Sequence, residues 1–101
     1  MVYMTARNEK EARKIGGAVV EERLAACVNI IPGIQSLYWW NGRVQDDSEV
    51  AVIAKTRPDL VDALIDKVKS LHSYDVPCIV TLPILSGNPA YLKWVSDETK
   101  K

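Results

Sequence analysis

His72 is the only histidine in the chain, and it is the residue whose type most invites chemistry. A neutral imidazole is a ready metal ligand. No second His or Cys stands at metal-motif spacing from it. It closes an apolar helical stripe, where it can bond the last carbonyls and complement the helix dipole. A metal ligand and a helix-end residue are both open readings. Cys27 and Cys78 lie in the apolar runs Ala-Ala-Cys-Val-Asn-Ile and Val-Pro-Cys-Ile-Val. No CxxC spacing joins them as a redox pair. The expectation is two buried free thiols in a reducing compartment. Lys55 sits inside an apolar strand run, where a charge needs a partner. Arg43, Asp46, Asp47 and Glu49 are solvated strand and turn charges, or line a cleft. Tyr74, Tyr91 and Trp94 read as core or interface aromatics whose polar atoms find partners, or as stacking surfaces for a ligand.

Several chemistries lack their residues. No Ser/His/Asp or Cys/His set can be assembled around one histidine. Gly16-Gly17 falls inside a helical pattern, so it is not a phosphate loop. Asp75 and Glu98 show no paired-carboxylate spacing. The aromatic signature of RNA-binding sheets is missing from a chain without Phe. Thr5-Ala6-Arg7-Asn8-Glu9 has one Arg and no Gly, a poor anion cradle. Formal net charge is zero, which argues against nucleic acid or an anionic membrane as partner. Leu24 to Gly42 is uncharged, but it contains Pro, Gly, Asn and Gln, reads mostly as strand and is not a membrane helix.

The elements that position these residues follow from periodicity. The length of 101 residues fits one domain, residues 1–101. Val2 to Ala6 reads as a strand almost at Met1, so no signal or transit peptide is expected within this sequence, a removed one stays an open alternative, and a cytoplasmic location is expected. Asn8 with Glu11 forms a capping box for a helix over about 9–23. Gly16-Gly17 inside it costs helix stability and implies close packing against another backbone.

Asn41-Gly42 is the strongest short-range hairpin signal. It joins arms at about 27–40 and 43–56, each reaching about 45 Å at ~3.3 Å per residue. A compact domain of this length is only about 34 Å across. The hairpin therefore projects, with a bend at Pro32-Gly33. Trp39 and Trp40 point to opposite faces next to the tip. The chain is too small to cover both, so a second copy is the expected cover.

A second helix starts at Thr56-Arg57-Pro58, with Pro58 in its first turn and Leu60, Leu64, Val68 and Leu71 as its stripe. Val76 to Leu85 reads as a strand broken by Pro83. Asn88 caps a third helix at about 89–98 that buries Leu92 and Val95. The order β-α-β-β-α-β-α predicts an α+β, ferredoxin-like βαββαβ sandwich with a long β-hairpin and an extra C-terminal helix. Helices cover one face of such a sheet. Val28, Ile30, Ile31, Val50, Val52 and Ile53 make the central strands apolar on both faces, which again predicts an oligomer.

Glu-Arg-Leu-Ala-Ala-Cys-Val-Asn (22–29), Tyr-Trp-Trp-Asn-Gly (38–42), Lys-Thr (55–56), Leu-His-Ser-Tyr-Asp-Val-Pro (71–77) and Gly-Asn-Pro-Ala-Tyr-Leu-Lys-Trp (87–94) resemble the CutA family of divalent-cation-tolerance proteins. The resemblance runs nearly end to end. It implies a ferredoxin-like subunit in a tight homotrimer similar to the PII signal proteins, with Tyr38, Trp39 and Trp40 at the interface. It further implies a link to copper and divalent-metal tolerance in bacteria, an anchoring role around acetylcholinesterase in animals, and no established enzymatic activity or required cofactor. Copper-linked members carry Cys-Thr-Ala-Pro where this chain has Met4-Thr5-Ala6-Arg7, and some a His pair where it has Leu71-His72. Only His72 remains of that ligand set. A Met4 thioether could contact Cu(I) but cannot replace a thiolate for Cu(II) or Zn(II). Weak copper binding at His72 is the expectation. The alternatives are a nucleotide or small-anion effector in intersubunit clefts lined by Lys55, Glu49, Tyr74 and Tyr91, and a scaffold that anchors a protein partner.

Overall fold

A computed structural model describes residues 1–100. Strand β1 is Val2–Ala6, helix α1 Glu9–Glu21, β2 Cys27–Trp40 and β3 Arg43–Lys55. A 3-10 turn at Pro58–Leu60 leads into α2, Val61–Leu71. Strand β4 is Ile79–Thr81 and helix α3 is Pro89–Asp97. The sheet order is β2-β3-β1-β4, and each neighbouring pair is antiparallel. This is the ferredoxin-like α+β sandwich with a third helix, as expected.

Cross-strand pairing separates the two faces of the sheet. Val2, Met4 and Ala6 of β1 face the helices with Val50, Val52 and Ala54 of β3. Ala12, Ile15 and Val19 of α1 and Leu64 and Val68 of α2 close this core. The opposite face carries Tyr3, Thr5, Ala51, Ile53, Ile31 and Ile34. Asn8 accepts the Glu11 amide at 2.8 Å and starts α1. The Glu11 carboxylate reaches back to the Arg7 amide, one residue before the cap. A Cβ at Gly16 would stand 2.9 Å from Val28 Cγ2, so the close approach is to a β2 side chain and not to a backbone. Gly17 has nothing within 4 Å. The expectation of close packing therefore holds for one glycine of the pair.

The turn is built as the sequence requires. Asn41 and Gly42 have φ of 53° and 73°, the left-handed pair of a type I′ turn. A register shift between Ile31 and Ile34 marks the bend at Pro32-Gly33. The hairpin gives the protomer its long axis, 45 Å against 25 and 20 Å. Trp39 pairs with Val44 and Trp40 with Arg43, so the indoles lie on opposite faces. Both are exposed, Trp39 by 73%.

Two elements are shorter than expected. The helical dihedrals at Pro58 first make a 3-10 turn, and the α-helix proper begins at Val61. The strand expected over residues 76–85 is ladder only at Ile79–Thr81. Its partner is β1, which begins at Val2. The Met1–Leu82 amide and carbonyl pair carries the pairing one residue beyond the ladder. Pro83 has no N–H to donate. Leu82, Ile84 and Leu85 consequently stay exposed. In α3, Val95 is buried and Leu92 half-buried.

Candidate functional site

The outer face of the sheet meets the α2–β4 loop in a cleft of about 790 Å³. Strand β1 contributes Tyr3 and Thr5 to it, β2 Tyr38 and Trp40, and β3 Glu49. The loop adds Ser73, Tyr74, Asp75 and Val76, and Cys78 lies at its end. Glu49 is the centre of its electrostatics. The residue is only 8% exposed, and its Oε2 accepts the Tyr74 hydroxyl at 2.9 Å. Burial and then that bond push the Tyr74 phenol far above its ordinary value. Partial desolvation and then the Glu49 charge raise the Cys78 thiol. The Asp47 carboxylate accepts the Tyr38 hydroxyl and raises that phenol, with Glu49 adding to it.

The loop is held by His72, from below the cleft. Its imidazole is fully buried. Nε2 lies 2.7 Å from the Thr5 carbonyl, and Nδ1 accepts the Tyr74 amide at 3.1 Å. A ring that accepts at Nδ1 and faces a carbonyl at Nε2 is the neutral Nε2–H tautomer. It thus ties β1 to the loop that carries Tyr74. The helix-end expectation needs correcting in one respect. The His72 backbone N–H closes α2 on the Val68 carbonyl, while the ring bonds elsewhere.

Both imidazole nitrogens are engaged, so neither offers a metal its lone pair. Met4 is 1% exposed on the core face, and Leu71 packs against that core. Among the described residues no three His, Cys, Asp or Glu side chains are grouped to hold a metal ion. In the protomer the His72 ring thus lies between Thr5 and Tyr74, while Met4 and Leu71 belong to the core side.

Glu11 anchors the same loop from α1. Its Oε1 accepts the Arg7 amide and its Oε2 the Ser73 amide, both at 3.0 Å. Burial pulls this carboxyl upward, but the bonds to Ser73 and Arg7 outweigh it, and its pKa lies below the ordinary value of 4.5. A carboxyl depressed by folding contributes stability above its unfolded pKa and loses it as pH falls through the folded one. Thermal stability is expected to drop between about pH 4.5 and the lower folded value. Glu11→Gln should flatten that part of the pH profile.

The cleft residues expected from sequence divide into two groups. Glu49, Tyr74, Tyr38 and Trp40 are brought together. Lys55 and Tyr91 are not. Six residues separate Lys55 from Glu49 along β3, or about 20 Å at ~3.3 Å each. The Lys55 ammonium bonds the Asn29 amide oxygen, which satisfies a charge in an apolar strand. Tyr91 lies on α3, 3.3 Å from Cys27 Sγ and stacked at 5.7 Å with Trp94. Both thiols are free, but Cys78 is exposed and Cys27 half-buried, because each sits on an edge strand or beside one. Asp75, Ser73, Thr5 and Tyr3 also line the cleft, where the sequence reading did not place them. The polar run Ser73-Tyr74-Asp75 after a helix end was the one signal for the loop. Nothing in the sequence places it opposite Glu49.

A ferredoxin-like subunit with a projecting hairpin has the PII-like class of fold. The profile described as CutA1 divalent ion tolerance protein matches residues 1–98. The chain belongs to this family. It is 48% identical over its whole length to "Protein CutA 1, chloroplastic" of Oryza sativa subsp. japonica, of which it spans 57%. It is 50% identical to "Protein CutA" of Mus musculus over 97% of its own length and 55% of the mouse protein. The chain thus spans little more than half the length of these relatives. The solved CutA1 structure from Thermus thermophilus superposes with a TM-score of 0.95 at 48% identity, covering 98% of this chain and 96% of that one. No described helix is long and apolar enough to cross a membrane.

Proposed function

We propose that the chain is a homotrimeric, PII-like binding module of the divalent-ion-tolerance class, and not an enzyme. It takes an effector in the cleft around Glu49 and Tyr74. The observation that carries this reading is the apolar surface left open on the protomer. Leu37, Trp39 and Val44 are 70%, 73% and 59% exposed at the hairpin tip, and Leu85 is 91% exposed beyond β4. Large exposed apolar side chains grouped at a hairpin tip mark an interaction surface. The outer sheet face adds Ile31 and Val80. Packing further copies on that face and tip covers both tryptophans and both edges. The two free thiols support a reducing compartment such as the cytoplasm.

Copper binding is expected at micromolar affinity or weaker, because a Cu(II) ion needs several N, O or S donors in fixed geometry. The test pairs two measurements on the intact protein. The melting temperature should rise with protein concentration, as it does when assembly stabilises the fold. A calorimetric Cu(II) titration should show weak binding. A concentration-independent melting temperature, or stoichiometric nanomolar copper binding, would contradict the reading.

A further inference from the structure

Helix α3 is joined to β4 by residues 82–88, which lie outside helix and strand. Within its own chain the one buried residue of α3 is Val95. Its place on the domain is set by the residues that follow it. Arg23, just past the end of α1, donates to the Glu98 carbonyl and to the Glu98 carboxylate, both at 3.2 Å. Thr99 is 2% exposed, and its hydroxyl closes the end of α3 on the Val95 carbonyl at 3.0 Å. The Lys100 amide donates to the Arg23 carbonyl at 2.9 Å, and the Lys100 carbonyl accepts the Arg57 guanidinium. All of these ties are made within one chain. None involves the outer sheet face or the hairpin tip.

The backbone at Arg23 is shaped for this contact. The Leu24 amide bonds the Val19 carbonyl and the Arg23 amide the Val20 carbonyl. That is a Schellman motif, with Arg23 in the position that glycine ordinarily fills. Its φ of 58° lies in the left-handed region, which a Cβ disfavours. Such strain persists where the surroundings determine it. Here the carbonyl and the guanidinium of one residue both hold the tail. The two arginines contribute unequally. The Arg23–Glu98 pair is a surface one, its side chains 59% and 46% exposed, and such pairs are weak. Arg57 is only 20% exposed, and Asp59 Oδ1 lies 3.3 Å from its Nε. A charged donor held in place and largely out of water makes the stronger bond.

We propose that residues 98–100 form a latch and that Arg57 is its catch. When the Lys100 tie opens, α3 swings away from the start of β2, where Tyr91 meets Cys27, while the sheet, α1 and α2 stay folded. Helix α3 is thus a unit that opens at a lower free energy than the domain unfolds. The device is independent of the cleft around Glu49 and of any effector there.

Native-state hydrogen exchange of the intact protein, followed at rising sub-denaturing urea, tests this. In the unmodified chain the α3 amides should exchange with a much weaker urea dependence than those of β1 and β3, which follow global unfolding. Arg57→Met keeps the stem and removes the donor. It should speed α3 exchange at least tenfold while the weak urea dependence persists. Arg57→Lys retains a cation that can donate to a single carbonyl, and should bring α3 back to within threefold of the unmodified chain. Arg23→Gly deletes the exposed pair, keeps the carbonyl and relieves the backbone, so α3 should again stay within threefold. The proposal is overturned if the α3 amides of the unmodified chain share the urea dependence of β1 and β3, a result that needs no variant to fold. It is overturned equally if Arg57→Met leaves α3 exchange unchanged, if Arg57→Lys behaves as Arg57→Met, or if Arg23→Gly has the larger effect.

Discussion

Replacing Trp39 and Trp40 together by alanine is expected to break the assembly and to lower its stability by about 3–5 kcal/mol for each indole that a neighbour buries, as in large-to-small core changes. The protomer itself would lose little. Trp39 and Trp40 are 73% and 47% exposed in it. Exposed positions away from special features ordinarily change stability by less than about 0.5 kcal/mol. The two outcomes are therefore far apart. Single variants refine the result, because the indoles lie on opposite faces of the hairpin and meet different surroundings. Chemical denaturation followed at several protein concentrations separates loss of assembly from loss of the fold. An unchanged midpoint and mass in the double variant would mean that the tip works in solvent.

His72→Ala should destabilise the protein by about 2–4 kcal/mol, the combined order of an orphaned buried hydrogen-bonding group and a small cavity. The ring is fully buried and joins the Thr5 carbonyl of β1 to the Tyr74 amide of the loop. Removing it leaves both groups to find water. The loop that carries Tyr74 and Asp75 should then loosen, with faster amide exchange confined to residues near 73–77. The weak Cu(II) titration should change little. A variant of native stability that loses tight copper binding would make His72 a metal ligand after all.

Much of the fold was legible in the sequence because its signals are local. The Asn41-Gly42 pair demands positive φ at two successive residues, and only a tight hairpin turn uses that. Asn8, Pro58 and Asn88 mark helix starts by chemistry that acts within one turn. The end of β4 was less legible. Residues 82–85 are rich in strand-forming apolar side chains, but Pro83 has no N–H to carry a ladder past Leu82. The candidate site was half legible. Glu49 and Tyr74 stand 25 positions apart, and their bond depends on how the α2–β4 loop folds over the sheet. Lys55 failed as a cleft residue for the same kind of reason. The apolar context correctly demanded a partner, but Asn29 on the neighbouring strand supplies it. The His72 ring shows the limit most clearly. Its sequence position beside Leu71 suggested a helix end or a metal, and only the tertiary contacts with Thr5 and Tyr74 reveal a tie between elements.

Self-assembly through the hairpin and the open sheet face is the claim on which the rest depends. Sedimentation equilibrium of the unmodified protein at micromolar concentration tests it most directly. The mass should be three times the chain's 11.3 kDa, without dissociation on tenfold dilution. A well-folded species of 11.3 kDa at the same concentrations would contradict it.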